Sequence, residues 1–327
     1  MYKYILKRLL LMIPIILGVI IIVFTIMYIA PGDYATYIAG ETATEEQIQE
    51  IREELGSDGT YIEQLVRYIN NLLHGDFGTS YVTGRSVSEE IFARFPVTIQ
   101  LAVCTIIVAT VIGLLAGIIS AITQYSIFDY VVQVFGLAGS SMPSFWLGLM
   151  LILLFSVKLG WLPPSGWNGI NSWILPSVAG GLGSCATIMR MTRSSMLDVI
   201  RQDYITTAQA KGQRQLVVIM RHALKNALIP IITIIGMQFG GMLGGTVLIE
   251  TIFTIPGMGT LTVNAIMARN VPMVEGVVLL ISLIFCLVNL FVDLLYSFVD
   301  PRIRSQYSSP KKKAAGNLAA AKLGEEK

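Results

Sequence analysis

Residues 203–230 read DYITTAQAKGQRQLVVIMRHALKNALIP and lie between two long apolar runs. Lys211, Arg214, Arg221 and Lys225 stand there against a single acid, Asp203. Basic loops between membrane spans are retained on the cytoplasmic side, so this stretch orients the chain. Its first part, DYITTAQAK, is built from Ala, Gln and Lys and predicts a short helix. Gly212 then permits a sharp bend that a residue with a Cβ would resist. A second helix is expected over residues 213–228, with Pro230 marking the turn into the next span. The expectation is a helix, a hinge and a helix displayed outside the bilayer. Charge alone would make the same segment a plain topological anchor.

Of the 327 residues, 54% are hydrophobic and only 13% charged, about half the charged share of an ordinary soluble domain. Such a chain belongs in lipid. Hydropathy gives six spans, at about 9–30, 97–122, 130–157, 174–193, 229–249 and 273–299. Lys3, Lys7 and Arg8 precede the first, which is too long for the apolar region of a signal peptide and ends at Ala30-Pro31 without a cleavage signal. It reads as a retained helix. Assigning both termini to the cytoplasm puts 17 of the 23 Lys and Arg residues inside, which agrees with the charge rule. The expected organisation is a first transmembrane helix (1–30), an extracytoplasmic helical loop (31–96), a five-helix core (97–300) with a cytoplasmic loop at 194–228, and a cytoplasmic tail (301–327). The tail is rich in Lys, Ala and Gly and is expected to be disordered, with Lys311 to Lys313 near anionic lipid.

In the 31–96 loop acids far outnumber bases. Thr44 with Gln47, Thr60 with Glu63 and Ser86 with Glu89 each have the spacing of a capping box and predict three helix starts. Apolar faces at Ile48, Ile51 and Leu55, and at Ile62, Leu65, Val66, Ile69 and Leu73, would pack on each other or on the membrane end of the protein. The simplest expectation is a small helical cap; the stronger one is a docking surface for an external partner.

Small residues mark two spans: Gly113 and Gly117 in the second, and Gly236, Gly240 and Gly244 in the fifth, with Gly241 and Gly245 alongside. Glycine at this spacing lets backbones approach, so Gly236, Gly240 and Gly244 are candidates for helix packing or for lining a passage. Pro143 and Pro176 should kink or offset the third and fourth spans. The cysteines, Cys104, Cys185 and Cys286, fall in apolar runs and read as small hydrophobes. Catalytic and metal-ligating constellations are missing. The two histidines, His74 and His222, fall on opposite sides of the expected bilayer, and there is no GxxxxGK[ST] phosphate loop, HExxH, GxSxG or CxxC. The chain therefore does not read as an enzyme or as an ATPase. Among acids in apolar surroundings, Asp293 stands out, and one isolated acid is thin support for a proton-driven carrier.

The stretch TAQAKG, Thr207 to Gly212, followed by a helix ending in NALIP, resembles the cytoplasmic loop of ABC importer permeases. The likeness is to the dipeptide, oligopeptide and nickel branch. Thr206-Thr207-Ala208 occupies the position of that family's EAA sequence, and no glutamate stands at position 206. ETIFTIPGMG (residues 250–259), DPRIR (300–304), Phe145-Trp146 after Met142-Pro143-Ser144, and Gly75-Asp76-Phe77-Gly78 extend the resemblance from Tyr2 to Arg304. It implies an all-α polytopic protein with the type I importer permease fold and a role in ATP-driven import of di- or oligopeptides. A nickel chelate is the nearest substrate alternative, and a stand-alone secondary carrier the alternative mechanism. Thr206, Thr207, Ala208, Lys211, Gly212 and Arg214 would then couple to an ATPase. The implied partners are a second, homologous permease forming a heterodimer, two ATP-binding subunits that hold the ATP and Mg, an extracytoplasmic binding protein, membrane lipid and the peptide. No cofactor, metal or nucleic acid is implied for this chain, and the implied location is a bacterial plasma membrane.

Overall fold

The computed structural model of the protein describes residues 2–30, 34–40 and 43–299. The side chain of Asp293, the DPRIR sequence and the 301–327 tail lie outside the described residues. Among the described residues every regular element is helical, apart from one isolated bridge between Thr79 and Ser86.

Helix α1 (Tyr2–Ile29) leaves Ile13, Ile22 and Ile26 exposed and packs beside the last helix, the pattern of a rod with one face in lipid. A small head follows, made of α2 (Tyr34–Ala39), α3 (Glu45–Glu54) and α4 (Tyr61–Leu73). Two of its helix starts are built as their sequences predict. The Thr44 N–H donates to Gln47 Oε1 at 3.0 Å and the Thr60 N–H to Glu63 Oε2 at 2.7 Å, while each threonine hydroxyl accepts from the backbone three residues on. The third box does not form. Ser86 precedes α5, but its hydroxyl pairs with Ser88 Oγ at 2.7 Å instead of with the backbone. The apolar face expected on α4 is also only partly used. Ile62, Val66 and Leu73 remain exposed, because α4 turns Tyr61 and Tyr68 toward Phe24 of α1.

Helix α5 (Val87–Ile122) starts ten residues before the apolar run. Its first turns pass through Pro96 because Val87 and Ile91 are buried against Met258, Met273 and Val277, and that packing holds the front of the helix in place. The third span is not straight: α6 (Ile127–Ser141) meets α7 (Ser144–Leu151), extended by a π-helical turn Ile152–Lys158, at an angle of 104°. Met142 sits in extended backbone before Pro143, the conformation that a following proline imposes. Helix α8 (Ile170–Ile200), by contrast, runs through Pro176 and continues seven residues past the expected span.

Helix α8 is the central rod. A Cβ on Gly113 of α5 would lie 2.9 Å from the Cys185 carbonyl, and one on Gly117 would lie 2.6 Å from Thr192 Cβ, so α5 and α8 touch backbone to backbone. After α9 (Asp203–Ala210) the chain enters α10 (Gln215–Val217), a π-helical turn Val218–Leu224 and α11 (Lys225–Gly245), which form one rod, Gln215–Gly245. Pro230 therefore lies inside a helix and does not mark a turn. Ala227 and Ile231, both buried, hold the rod to its neighbours across the proline, as transmembrane helices allow. Short helices α12 (Val247–Ile252) and α13 (Met258–Met267) lead to α14 (Val271–Val299). Among the described residues, five helices are long and apolar enough to cross a membrane, and six if the bent α6–α7 pair is one span.

Candidate functional site

The elbow forms where α8 ends. Helix α9 lies on the bundle through Ile205 and Ala208, which are 1% and 8% exposed and enter a cluster with Ala121, Met196, Val218, Ala223 and Ala227. Gly212 closes the turn with φ +76°, and its N–H donates to the Gln209 carbonyl at 2.9 Å. Only glycine adopts this backbone without strain. Thr206, Thr207, Lys211, Gly212 and Arg214 are exposed. Spacing of three places Ala208 on the same helix face as Ile205, and that face is the apolar one turned to the bundle. The free face carries Tyr204 and Thr207 instead. Tyr204 is tied back to the following rod, its hydroxyl accepting from Asn226 Nδ2 at 3.1 Å.

Beneath the elbow lies an ion pair that the sequence reading missed. Asp129 on α6 is 1% exposed and accepts two bonds from Arg193 on α8, from Nε and Nη2, each at 2.8 Å. The Tyr125 N–H, Gln133 Nε2 and the Ser120 hydroxyl also donate to it. One carboxylate thus joins the end of α5, the α5–α6 turn, α6 and α8. The sequence signal was Ser126 three residues before Asp129, an N-cap spacing, and the Ser126 hydroxyl does accept from the Asp129 N–H at 3.3 Å.

At the opposite end, Glu250 of ETIFTIPGMG is fully buried. Its carboxylate accepts from Thr98 Oγ1 at 2.7 Å and from the Gly259 and Thr260 N–H groups at 2.6 and 3.1 Å, while Thr98 Oγ1 accepts from the Met258 N–H at 2.8 Å. Three orphan donors at the start of α13 are thereby paired, one by Thr98, 160 residues away, and two by Glu250, nine and ten residues back. A Cβ on Gly257 would lie 2.5 Å from the Glu250 carboxyl carbon, so the Pro-Gly step makes room for the acid. Glu250→Ala should therefore lower stability by about 1–3 kcal/mol for each N–H left unpaired. Glu250→Gln, which keeps an acceptor, should lose less. Thermal unfolding of the purified chain in detergent compares the two.

Between these ends a cleft of about 210 Å³ is lined by Thr105, Ser144, Ser184, Gln238, Gly241 and Gly245 among others. Thr105 Oγ1 is buried there without a hydrogen-bond partner. The glycines of α11 divide by face. A Cβ on Gly236 would meet Val292 at 2.4 Å and one on Gly240 would meet Val288 at 3.6 Å, while Gly244 faces Ile281 at 4.0 Å, all on α14. Gly241 and Gly245 have nothing within 4 Å of a Cβ and look into the cleft. Among the described residues no group of three or more His, Cys, Asp or Glu side chains is placed to hold a metal ion.

Comparison with known proteins fits this arrangement. Residues 113–305 match the family described as binding-protein-dependent transport system inner membrane component, and residues 1–102 match its N-terminal companion. A dipeptide transport system permease protein of Alkalihalophilus pseudofirmus is 44% identical over 93% of this chain and all of its own length. A glutathione transport system permease protein of Pectobacterium atrosepticum is 42% identical over 93% of this chain and 99% of its own. An inward-facing structure of a methionine ABC transporter overlays with a TM-score of 0.56 at 18% identity, covering 64% of this chain and 96% of that one. At that identity the likeness is one of fold. The chain is a multi-pass membrane protein that belongs to the binding-protein-dependent transport system inner membrane components, the non-enzymatic permease subunits of ABC importers, which work with ATP-binding and substrate-binding partners.

Proposed function

We propose that this chain forms half of the passage of an ATP-driven importer of di- and oligopeptides and turns ATP hydrolysis on other subunits into opening and closing of its own bundle. The observation that carries the reading is the elbow: α9 is seated on the bundle by Ile205 and Ala208 while Tyr204, Thr207, Lys211 and Arg214 stay outward. A helix held this way on its own chain moves as a lever when a partner grips its free face. The same basic stretch belongs in the cytoplasm by the charge rule, which puts both termini inside and the acidic 31–96 loop outside.

The assembly proposed is this permease with a homologous second one, two ATP-binding subunits that alone bind ATP and Mg, and an external binding protein that delivers the peptide. The cleft at Thr105, Ser184 and Gln238 would be this chain's wall of the passage, and it is lined by hydroxyls and an amide without a charged group. Such a surface suits peptide backbones of any sequence. The dipeptide and glutathione permease relatives support a peptide cargo over a nickel chelate.

The test is reconstitution of the chain with the second permease, the ATPases and the binding protein in proteoliposomes. ATP-dependent accumulation of a labelled dipeptide is expected. Uptake by this chain alone without nucleotide, or uptake of a nickel chelate with no peptide uptake, would overturn the reading.

A further inference from the structure

A second and larger cavity, of about 460 Å³, lies between the helical head, α1 and the start of α14, away from the cleft just described. That volume falls in the range of sites that hold small molecules. Its walls include six aromatic rings, from Phe24, Tyr28, Tyr34, Tyr68, Phe77 and Tyr81. Glu275 of α14 also lines it, 5% exposed, and its Oε1 has no hydrogen-bond partner.

A carboxyl group enclosed to this degree is costly in either protonation state unless a ligand or another side chain meets its oxygens. Among the described residues no hydrogen bond reaches Glu275 Oε1, and Arg67, which lines the cavity with Arg52, is held by Asp58 at 2.8 Å and by the Gly56 carbonyl at 2.9 Å. The walls are built rather than incidental. Asn270 Nδ2 donates to Ser80 Oγ at 2.8 Å and Asn270 Oδ1 accepts from the Tyr81 N–H at 3.0 Å, fixing the loop that carries Phe77 and Tyr81 to the foot of α14. Tyr34 stacks on Tyr81 at 4.9 Å, and Phe24 stacks on Tyr68 at 5.8 Å.

The cavity's other acid, Asp76, accepts from the Gly78 N–H at 2.8 Å, whereas Glu275 offers an unpartnered oxygen among aromatic faces, the chemistry that receives an organic ammonium. The carboxylate supplies the counter-charge, and the rings supply cation–π attraction and apolar contact for the body attached to it. We propose that this cavity binds a small molecule bearing a primary ammonium, with Glu275 as its charge partner. The amino end of a short peptide and a simple aryl-alkyl amine share that chemistry. The site is separate from the passage, and binding to it is read on this chain alone without ATP, so its failure leaves the transport reading untouched.

The test is titration calorimetry of the full chain in lipid nanodiscs with three probes: Leu-Phe dipeptide, its N-acetyl form and phenethylamine. Leu-Phe should bind, and acetylation should weaken it at least tenfold. Binding of phenethylamine as well would make any such amine a ligand; its exclusion would make the peptide the ligand. Glu275→Gln should weaken Leu-Phe at least tenfold with an unchanged thermal unfolding profile. Tyr68→Leu, which keeps apolar volume but removes a ring, should weaken it about threefold and serves where the first variant fails to fold. Equal affinity for the acetylated dipeptide, undiminished binding by a folded Glu275→Gln, or no heat from either ammonium probe would overturn the proposal.

Discussion

Alanine in place of Asp129 is expected to destabilise the chain by about 3 kcal/mol, the low end of the range for breaking a buried ion pair. The low end applies because the Arg193 side chain keeps 21% exposure and recovers part of its hydration, whereas Asp129 keeps 1%. Removal of the carboxylate leaves the guanidinium without its two acceptors and strands the Tyr125 N–H, Gln133 and Ser120 together. The reverse substitution, Arg193→Ala, should cost more, since the charge left behind is the better buried one. Replacing both partners, Asp129→Leu with Arg193→Met, should recover much of the loss, as apolar pairs of similar size do in other proteins. Denaturant or thermal unfolding in detergent gives the three values. A single substitution costing less than about 1 kcal/mol would mean that the pair is solvated and joins nothing.

The parts of this molecule legible in the sequence are those whose cause is local. Thr44 and Thr60 sit three residues from the side chains that cap them, and Gly212 sits where a short helix must turn. Apolar length alone located the five long apolar helices and the bent α6–α7 pair. What escaped the reading depends on residues far apart in the chain. Asp129 and Arg193 are 64 positions apart, and Thr98 and Glu250 are 152 apart. No spacing rule pairs them. Hydropathy also ends a helix where polarity begins, so it stopped α8 at Arg193 and started α5 at Val97, although packing of Val87 and Met196 carries both rods further. Proline gave a mixed signal for the same reason. Pro143 breaks its span by 104°, while Pro176 and Pro230 lie within continuous helices, and only the neighbours that hold the chain on either side distinguish the cases. The direction of α9 was decided by Ile205, whose spacing from Ala208 was on view and which claims that face for the bundle.

That direction makes the second large effect a loss of coupling. Ala208→Asp places a carboxylate against Met196, Val218, Ala223 and Ala227, an apolar surround in which a charge has no partner. Helix α9 should lift from the bundle while the long apolar helices stay folded, because they also pack on one another through two further buried clusters. In the reconstituted assembly peptide uptake is expected to fall at least tenfold, with ATP hydrolysis by the partner subunits retained. Gly212→Val should act in the same direction but less strongly. Nothing lies within 4 Å of the added Cβ, so its cost is the strain of φ +76° alone, about 1–2 kcal/mol. Thr207→Ala provides the contrast: its hydroxyl donates to the Asp203 carbonyl one turn back and it faces outward, so it tests the grip of a partner without disturbing the seat. If Ala208→Asp transports peptide as well as the unaltered chain, at the same ATP consumed per peptide, the seat under α9 carries no force and the lever must be sought on another surface.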